Sequence, residues 1–86
     1  MPYIDPAERR WYEPQLSQLL TLVRRGKPGH LNYLFTKIAL WYLGEEPRYE
    51  EYNAVIGALE SAKLELYRRQ VASYEELKLL QNGDVA

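Results

Sequence analysis

A proline-free stretch, from Tyr49 to Leu80, constrains the fold of this chain more than any other feature. Its apolar residues recur every three or four positions, which is the spacing of a helix face and not the alternation of a strand. The spacing predicts one long helix over residues 48–80, and it leaves open whether the helix is broken near Ser73. The stripe predicted to face a core consists of Tyr52, Val55, Ile56, Leu59, Ala62 and Leu66.

Turn residues divide the rest of the chain into shorter helices. The predicted helices span residues 6–12, 14–25 and 29–43. Asp5 before Pro6 is a typical helix start, while Gly26 and Gly44 suit the left-handed position that follows a helix. Asn-Gly at residues 82–83 provides the final stop. On the third helix, the face expected to form the core consists of Leu31, Leu34, Phe35, Ile38, Trp41 and Tyr42.

The fold class predicted is all-α, a small helical bundle or hairpin with one long C-terminal helix, in a single domain over residues 1–86. The short connector after Gly44 predicts that the third helix packs antiparallel on the long one. A domain of 86 residues buries only a little over half of its chain surface. With no cysteine and only His30 as histidine, disulfides and metals are not expected to stabilise it, so we expect a homo-oligomer.

Charge and hydropathy exclude several classes of partner. The net charge is −1 and both signs are dispersed along the chain, so we expect no duplex nucleic acid as a ligand. No window approaches the roughly 18 apolar residues of a membrane span, and the N-terminus lacks the order of a signal peptide. The expected location is the cytosol. No motif predicts a cofactor.

A second strip runs along the long helix beside the core stripe, and it mixes polar with apolar side chains. A glycine inside a helix costs roughly 1 kcal/mol relative to alanine, so Gly57 predicts close approach of a ligand or of another helix. Leu64 and Val71 would not suit a solvated face, which favours an interface between identical chains. This second strip consists of Asn53, Gly57, Glu60, Leu64, Tyr67 and Val71, with Arg68 at its edge.

Two further features leave alternatives open. Tyr67, Arg68 and Arg69 could hold a phosphate and stack a base, or the arginines could simply pair with glutamates three or four residues away. On the third helix a mixed face suits either a subunit contact or the wall of a pocket. That mixed face consists of Asn32, Tyr33, Thr36, Leu40 and Leu43.

Catalysis is not predicted. His30 has no serine or cysteine placed by a motif to act as its nucleophile, and no second histidine with which to share a metal. Whether His30, Arg24, Arg25 or Arg69 takes part in binding stays open, and so does a weak enzymatic alternative through His30. Adjacent glutamates such as Glu45 and Glu46 are normally solvated.

Four motifs, in the order MPYI, PGHLNY, YNAVIGALESAKLELYRR and NGDV, cover nearly the whole chain. Together they resemble a family of small helical proteins of unknown function from bacteriophage and prophage genomes. The positions that carry the resemblance are Asn32, Tyr33, Tyr52, Asn53, Gly57, Glu60, Lys63, Glu65, Leu66, Tyr67 and Arg68.

The resemblance implies a function in binding, because small phage proteins without catalytic machinery often act in that way. The function expected on this basis is that of an oligomeric, non-enzymatic sponge that sequesters a nucleotide-type immune signal to counter host defence. Arg suits phosphate, Tyr suits base stacking and Asn suits base edges. The ligand-binding residues expected on this basis are Asn32, Tyr33, Asn53, Glu60, Tyr67 and Arg68. The alternative is a protein–protein adaptor or inhibitor of a host or phage protein that acts through the mixed faces.

Overall fold

The computed structural model describes residues 3–83, and over that range the chain contains helices and no strand. The all-α class and the long C-terminal helix are therefore confirmed. The helices are α1 (Pro6–Arg9), α2 (Glu13–Leu20), α3 (Pro28–Leu43), α4 (Tyr49–Leu66) and α5 (Ala72–Asn82), with a π-helical turn (Tyr67–Val71) joining the last two. The chain divides into two units, Met1–Arg48 and Tyr49–Ala86.

In the first unit, α1 begins as its sequence predicts but ends early. The Asp5 carboxylate accepts a hydrogen bond from the Ala7 N–H at 3.0 Å, which caps the helix start. Residues 10–12 then form tighter turns, because the N–H groups of Trp11 and Tyr12 bond three residues back. Pro14 explains the change, since its ring would clash with the carbonyl group four residues earlier in a continuous helix.

The predicted helix over residues 14–25 ends at Leu20 instead. The hydroxyl group of Thr21 donates to the Gln18 carbonyl oxygen at 2.6 Å, and the Thr21 and Leu22 N–H groups also bond three residues back. Such a side-chain bond competes with the helical pattern. The prediction that the helix continues to Arg25 is therefore wrong.

α3 ends where the sequence predicts. Gly44 has φ 73° and ψ −159°, a conformation that essentially only glycine adopts, and its N–H bonds to the Leu40 carbonyl oxygen at 3.1 Å. Gly26, in the loop before α3, also has a positive φ of 76°. Gly44 therefore ends α3, whereas Gly26 lies within the loop that precedes it.

The second unit is one helical segment with a local widening. The Ala72 N–H bonds to the Tyr67 carbonyl oxygen, five residues back, which defines the π turn. The chain is not broken near Ser73, because α5 continues the segment to Asn82, where Gly83 with φ 84° ends it. The predicted long helix is confirmed, with a wide turn directly before the position where a break was left open.

No residue of the described range 3–83 is buried. The predicted core face of α3 is open, with Trp41 88% exposed and Ile38 61% exposed, and Ile56 of the α4 stripe is 65% exposed. These three side chains, which were expected in a core, are therefore exposed to solvent. Antiparallel packing of α3 on α4, a single domain and a homo-oligomer remain predictions.

Candidate functional site

Two of the predicted ligand-binding residues lie side by side on α3. The side-chain oxygen of Asn32 accepts a hydrogen bond from the Thr36 hydroxyl at 3.4 Å, one helical turn further on. Tyr33 is 63% exposed, and the ammonium group of Lys37 lies over its ring at 6.0 Å from the centroid. Tyr33 thus combines an aromatic surface with an adjacent positive charge.

The other four predicted residues lie in the second unit. α4 carries Asn53 and Glu60 on the same face as Gly57, because seven residues make almost two helical turns. The Lys63 ammonium group pairs with Glu60 at 3.4 Å. A Cβ atom added at Gly57 would meet no heavy atom within 4 Å, so this part of the second strip is open space.

Arg68 and Arg69 share one carboxylate. The Arg68 guanidinium donates to Oε1 of Glu65 at 2.8 Å, and Nε of Arg69 donates to the same oxygen atom. The Glu65 side chain is only 21% exposed, whereas the two arginine side chains are 66% and 63% exposed. The intrahelical pairing that the sequence left open is therefore present, both here and at Glu60.

Tyr67 forms a hydrogen bond with Glu75, a residue that the sequence did not single out. Its phenolic O–H donates to the Glu75 carboxylate, with distances of 3.1 and 3.2 Å to the two oxygen atoms. This hydrogen bond and the nearby negative charge raise the pKa of Tyr67 above its ordinary value of 10.0. Eight residues in an α-helix leave two side chains about 80° apart around the axis, so α-helical spacing gives no signal for this pair.

The π turn explains how Tyr67 and Glu75 meet. A π turn absorbs one extra residue, so a separation of eight residues has about the angular offset of seven, which is roughly 20°. The same rotation acts on every later side chain. Leu77 would continue the stripe through Leu59 and Leu66 in an uninterrupted α-helix, but it is rotated about 100° away from that stripe.

A cleft in the first unit is the other feature of interest. It has a volume of about 340 Å³ and lies between the end of α2 with its following turn and the first turns of α3. The predicted helix over residues 14–25 would have extended α2 through the turn that forms one side of this cleft, whereas the mixed face of α3, which includes Tyr33, was predicted to suit a subunit contact or the wall of a pocket. The cleft is lined by Leu19, Leu22, Val23, Gly29, His30, Tyr33 and Leu34.

The described residues offer neither a metal-binding cluster nor a membrane-spanning helix. Among residues 3–83, no group of three or more His, Cys, Asp or Glu side chains is placed to hold a metal ion. None of the helices described is both long and apolar enough to cross a membrane.

These features define a class of small all-helical protein in which the described residues present open helix faces and an apolar cleft. The chain belongs to the family described as Domain of unknown function (DUF6899), whose family model matches residues 1–85. No curated protein and no solved structure matches the chain significantly.

Proposed function

We propose that this protein acts by binding, as an adaptor or inhibitor that attaches to a host or phage protein through the mixed faces of its helices. The observation that supports this function is the exposure of large apolar side chains on those faces. Leu40 is 57% exposed on the mixed face of α3, and Leu64 is 55% exposed on the second strip. Exposed apolar surface beside polar groups is typical of an interaction site.

The composition of the exposed surface supports the same function. Trp41 and Tyr42 at the end of α3 are 88% and 68% exposed. Tryptophan and tyrosine are enriched among the residues that contribute most to binding between proteins. Part of this surface, in our proposal, is covered by a second copy of the chain, and the rest remains for a different protein in the host cytosol.

Capture of partners from host lysate tests the adaptor function, with a matched pair of variants. Leu64→Ser removes an apolar side chain from the second strip, and Leu80→Ser removes one that is 80% exposed on α5. We expect wild-type protein and Leu80→Ser to retain a stoichiometric partner and Leu64→Ser to lose it. Equal loss in both variants would indicate nonspecific adhesion and would contradict the proposal.

A second candidate function is the sequestration of a nucleotide-type immune signal, as a sponge that counters host defence. One observation favours it: Glu65 gathers the guanidinium groups of Arg68 and Arg69 around a single anionic group, and Tyr67 directly precedes these arginines in the chain. A phosphate group of a ligand would take the place of the carboxylate. The adaptor ranks first because the lining residues of the cleft include no arginine, so Arg and aromatic groups are not gathered there.

Nucleotide sequestration is tested by incubating purified protein with a panel of immune nucleotides and assaying release after heat denaturation. Arg68→Gln should abolish retention, whereas Lys63→Gln, which breaks the Glu60 pair on the same helix, should not. If wild-type protein retains no nucleotide, this second function is excluded and the adaptor function is unaffected.

A further inference from the structure

The cleft between α2 and α3 has an apolar floor with a few polar groups at its edge. Leu19, Val23 and Leu34 are half-buried and supply apolar lining. His30 and Tyr33 are exposed and provide the polar atoms. A volume of about 340 Å³ lies at the lower end of the range for small-molecule sites.

The charged residues along the chain segment that forms the cleft are all basic. Between Glu13 and Glu45 the chain contains no acidic residue, and its charged side chains are Arg24, Arg25, Lys27 and Lys37. Arg24 and Arg25 directly follow Val23, and Lys27 directly precedes α3. The fourth, Lys37, has its ammonium group 6.0 Å from the ring centroid of Tyr33, which itself lines the cleft.

An apolar floor with basic residues along the neighbouring chain matches one kind of ligand. We propose that the cleft binds a small amphipathic anion, a molecule with a compact apolar body and a single carboxylate or phosphate group. The body lies against Leu19, Val23 and Leu34, and the anionic group lies towards Lys37. The opposite charges attract, and the apolar body leaves water.

The first turn of α3 adds to this preference, since Gly29 and His30 lie at the positive end of the helix dipole. Because the cleft belongs to neither the second strip nor the mixed face of α3 apart from Tyr33, the inference goes beyond the proposed adaptor function. Ligand binding in the cleft and partner capture through Leu64 can fail separately.

The test is a titration followed by amide chemical shifts in NMR, with octanoate as the probe below its micelle concentration. Octan-1-ol and octylamine have similar apolar bodies with a neutral or a positive group. We expect octanoate to shift the amide signals of residues 19–37 in a saturable manner and octylamine to leave them unchanged. Hexanoate should bind about fourfold more weakly per methylene removed.

The chain offers a matched control for the charge. Lys78 lies over Tyr74 at 5.6 Å on α5, the same arrangement as Lys37 over Tyr33, but Tyr74 is not among the residues that line the cleft. Lys37→Gln should weaken octanoate binding about two- to fivefold, which is the range of one partly exposed charge pair, while Lys78→Gln should leave it unchanged. Equal effects of both variants would overturn the proposal.

Two further results would overturn it. Equal affinity for octanoate and octylamine would show that charge does not select the ligand. Binding to vesicles that contain phosphatidylglycerol, lost in Lys37→Gln, with no response to free octanoate, would assign the cleft to lipid headgroups in a membrane instead. Sedimentation with such vesicles distinguishes the two sources, and we expect the protein to stay in the supernatant.

Discussion

The phenolic O–H of Tyr67 donates to the carboxylate of Glu75, across a π turn that brings two residues eight positions apart onto nearly the same side of the helix. The bond joins the first residue of the turn to α5. It therefore links the end of α4 with the segment that follows the widening.

Removal of the carboxylate should change the titration of one tyrosine. In Glu75→Gln the pKa of Tyr67 is expected to fall towards 10.0, because the hydrogen bond to a carboxylate and the adjacent negative charge both disappear. NMR titration of tyrosine labelled at the ζ-carbon measures this. Glu76→Gln, next along the chain, is the control and should leave the titration of Tyr67 unchanged.

The same bond has a pH dependence of known sign. Because the folded-state pKa of Tyr67 lies above the unfolded value of 10.0, its contribution to stability is fully present below pH 10. The contribution is lost as the pH rises through the folded-state pKa. Tyr67→Phe should therefore have a lower thermal midpoint than wild type at neutral pH. The difference between the two midpoints should shrink well above pH 10.

Replacement of Gly44 should destabilise the first unit. Its φ of 73° with ψ −159° is a region closed to residues with a Cβ, so Gly44→Ala is expected to cost about 1–3 kcal/mol of unfolding free energy. Chemical denaturation followed by circular dichroism measures the change. An unchanged midpoint would mean that the end of α3 adopts another conformation in solution.

Replacement of Gly57 should have the opposite sign. The residue lies inside α4, and a Cβ atom there meets nothing within 4 Å, so Gly57→Ala is expected to stabilise the helix by roughly 1 kcal/mol. Thermal denaturation at low protein concentration tests this. A lower midpoint in Gly57→Ala would indicate that another chain or a ligand packs closely on the second strip.

Self-association should be visible in the fluorescence of Trp41. The side chain is 88% exposed in the single chain, so contact with a second copy would move its emission to shorter wavelength. In Trp11→Phe, which leaves Trp41 as the only tryptophan, we expect the emission to shift with protein concentration and the mass from light scattering to exceed that of a monomer. A constant emission and a monomer mass at micromolar concentration would exclude the proposed oligomer.

Local signals in the sequence were sufficient for most helix ends. Pro6, Gly44 and Gly83 act through their own backbone restrictions, and each stands at the boundary that it predicts. The end of α2 was missed because it depends on one hydroxyl group, that of Thr21, which bonds back to the chain. Helix periodicity contains no information about such a bond.

The candidate site was less predictable. Pairing of Glu65 with Arg69 follows from α-helical spacing, and the structure contains it. The hydrogen bond between Tyr67 and Glu75 does not follow from α-helical spacing, because it forms only where a π turn changes the angular offset between the two residues. Burial of the α3 and α4 stripes depends on what packs against them. Periodicity identifies an apolar stripe but not the surface that packs on it.

The π turn has a consequence for any helix that docks lengthwise on the C-terminal segment. The turn rotates every later side chain around the helix axis. The apolar row of α4, with Leu59 and Leu66, and the row of α5 that contains Leu77 therefore point in different directions. A single straight partner can follow one row or the other. Removal of one residue from the turn would merge the two rows, so one residue of chain length separates a surface with two short docking rows from a surface with one long row.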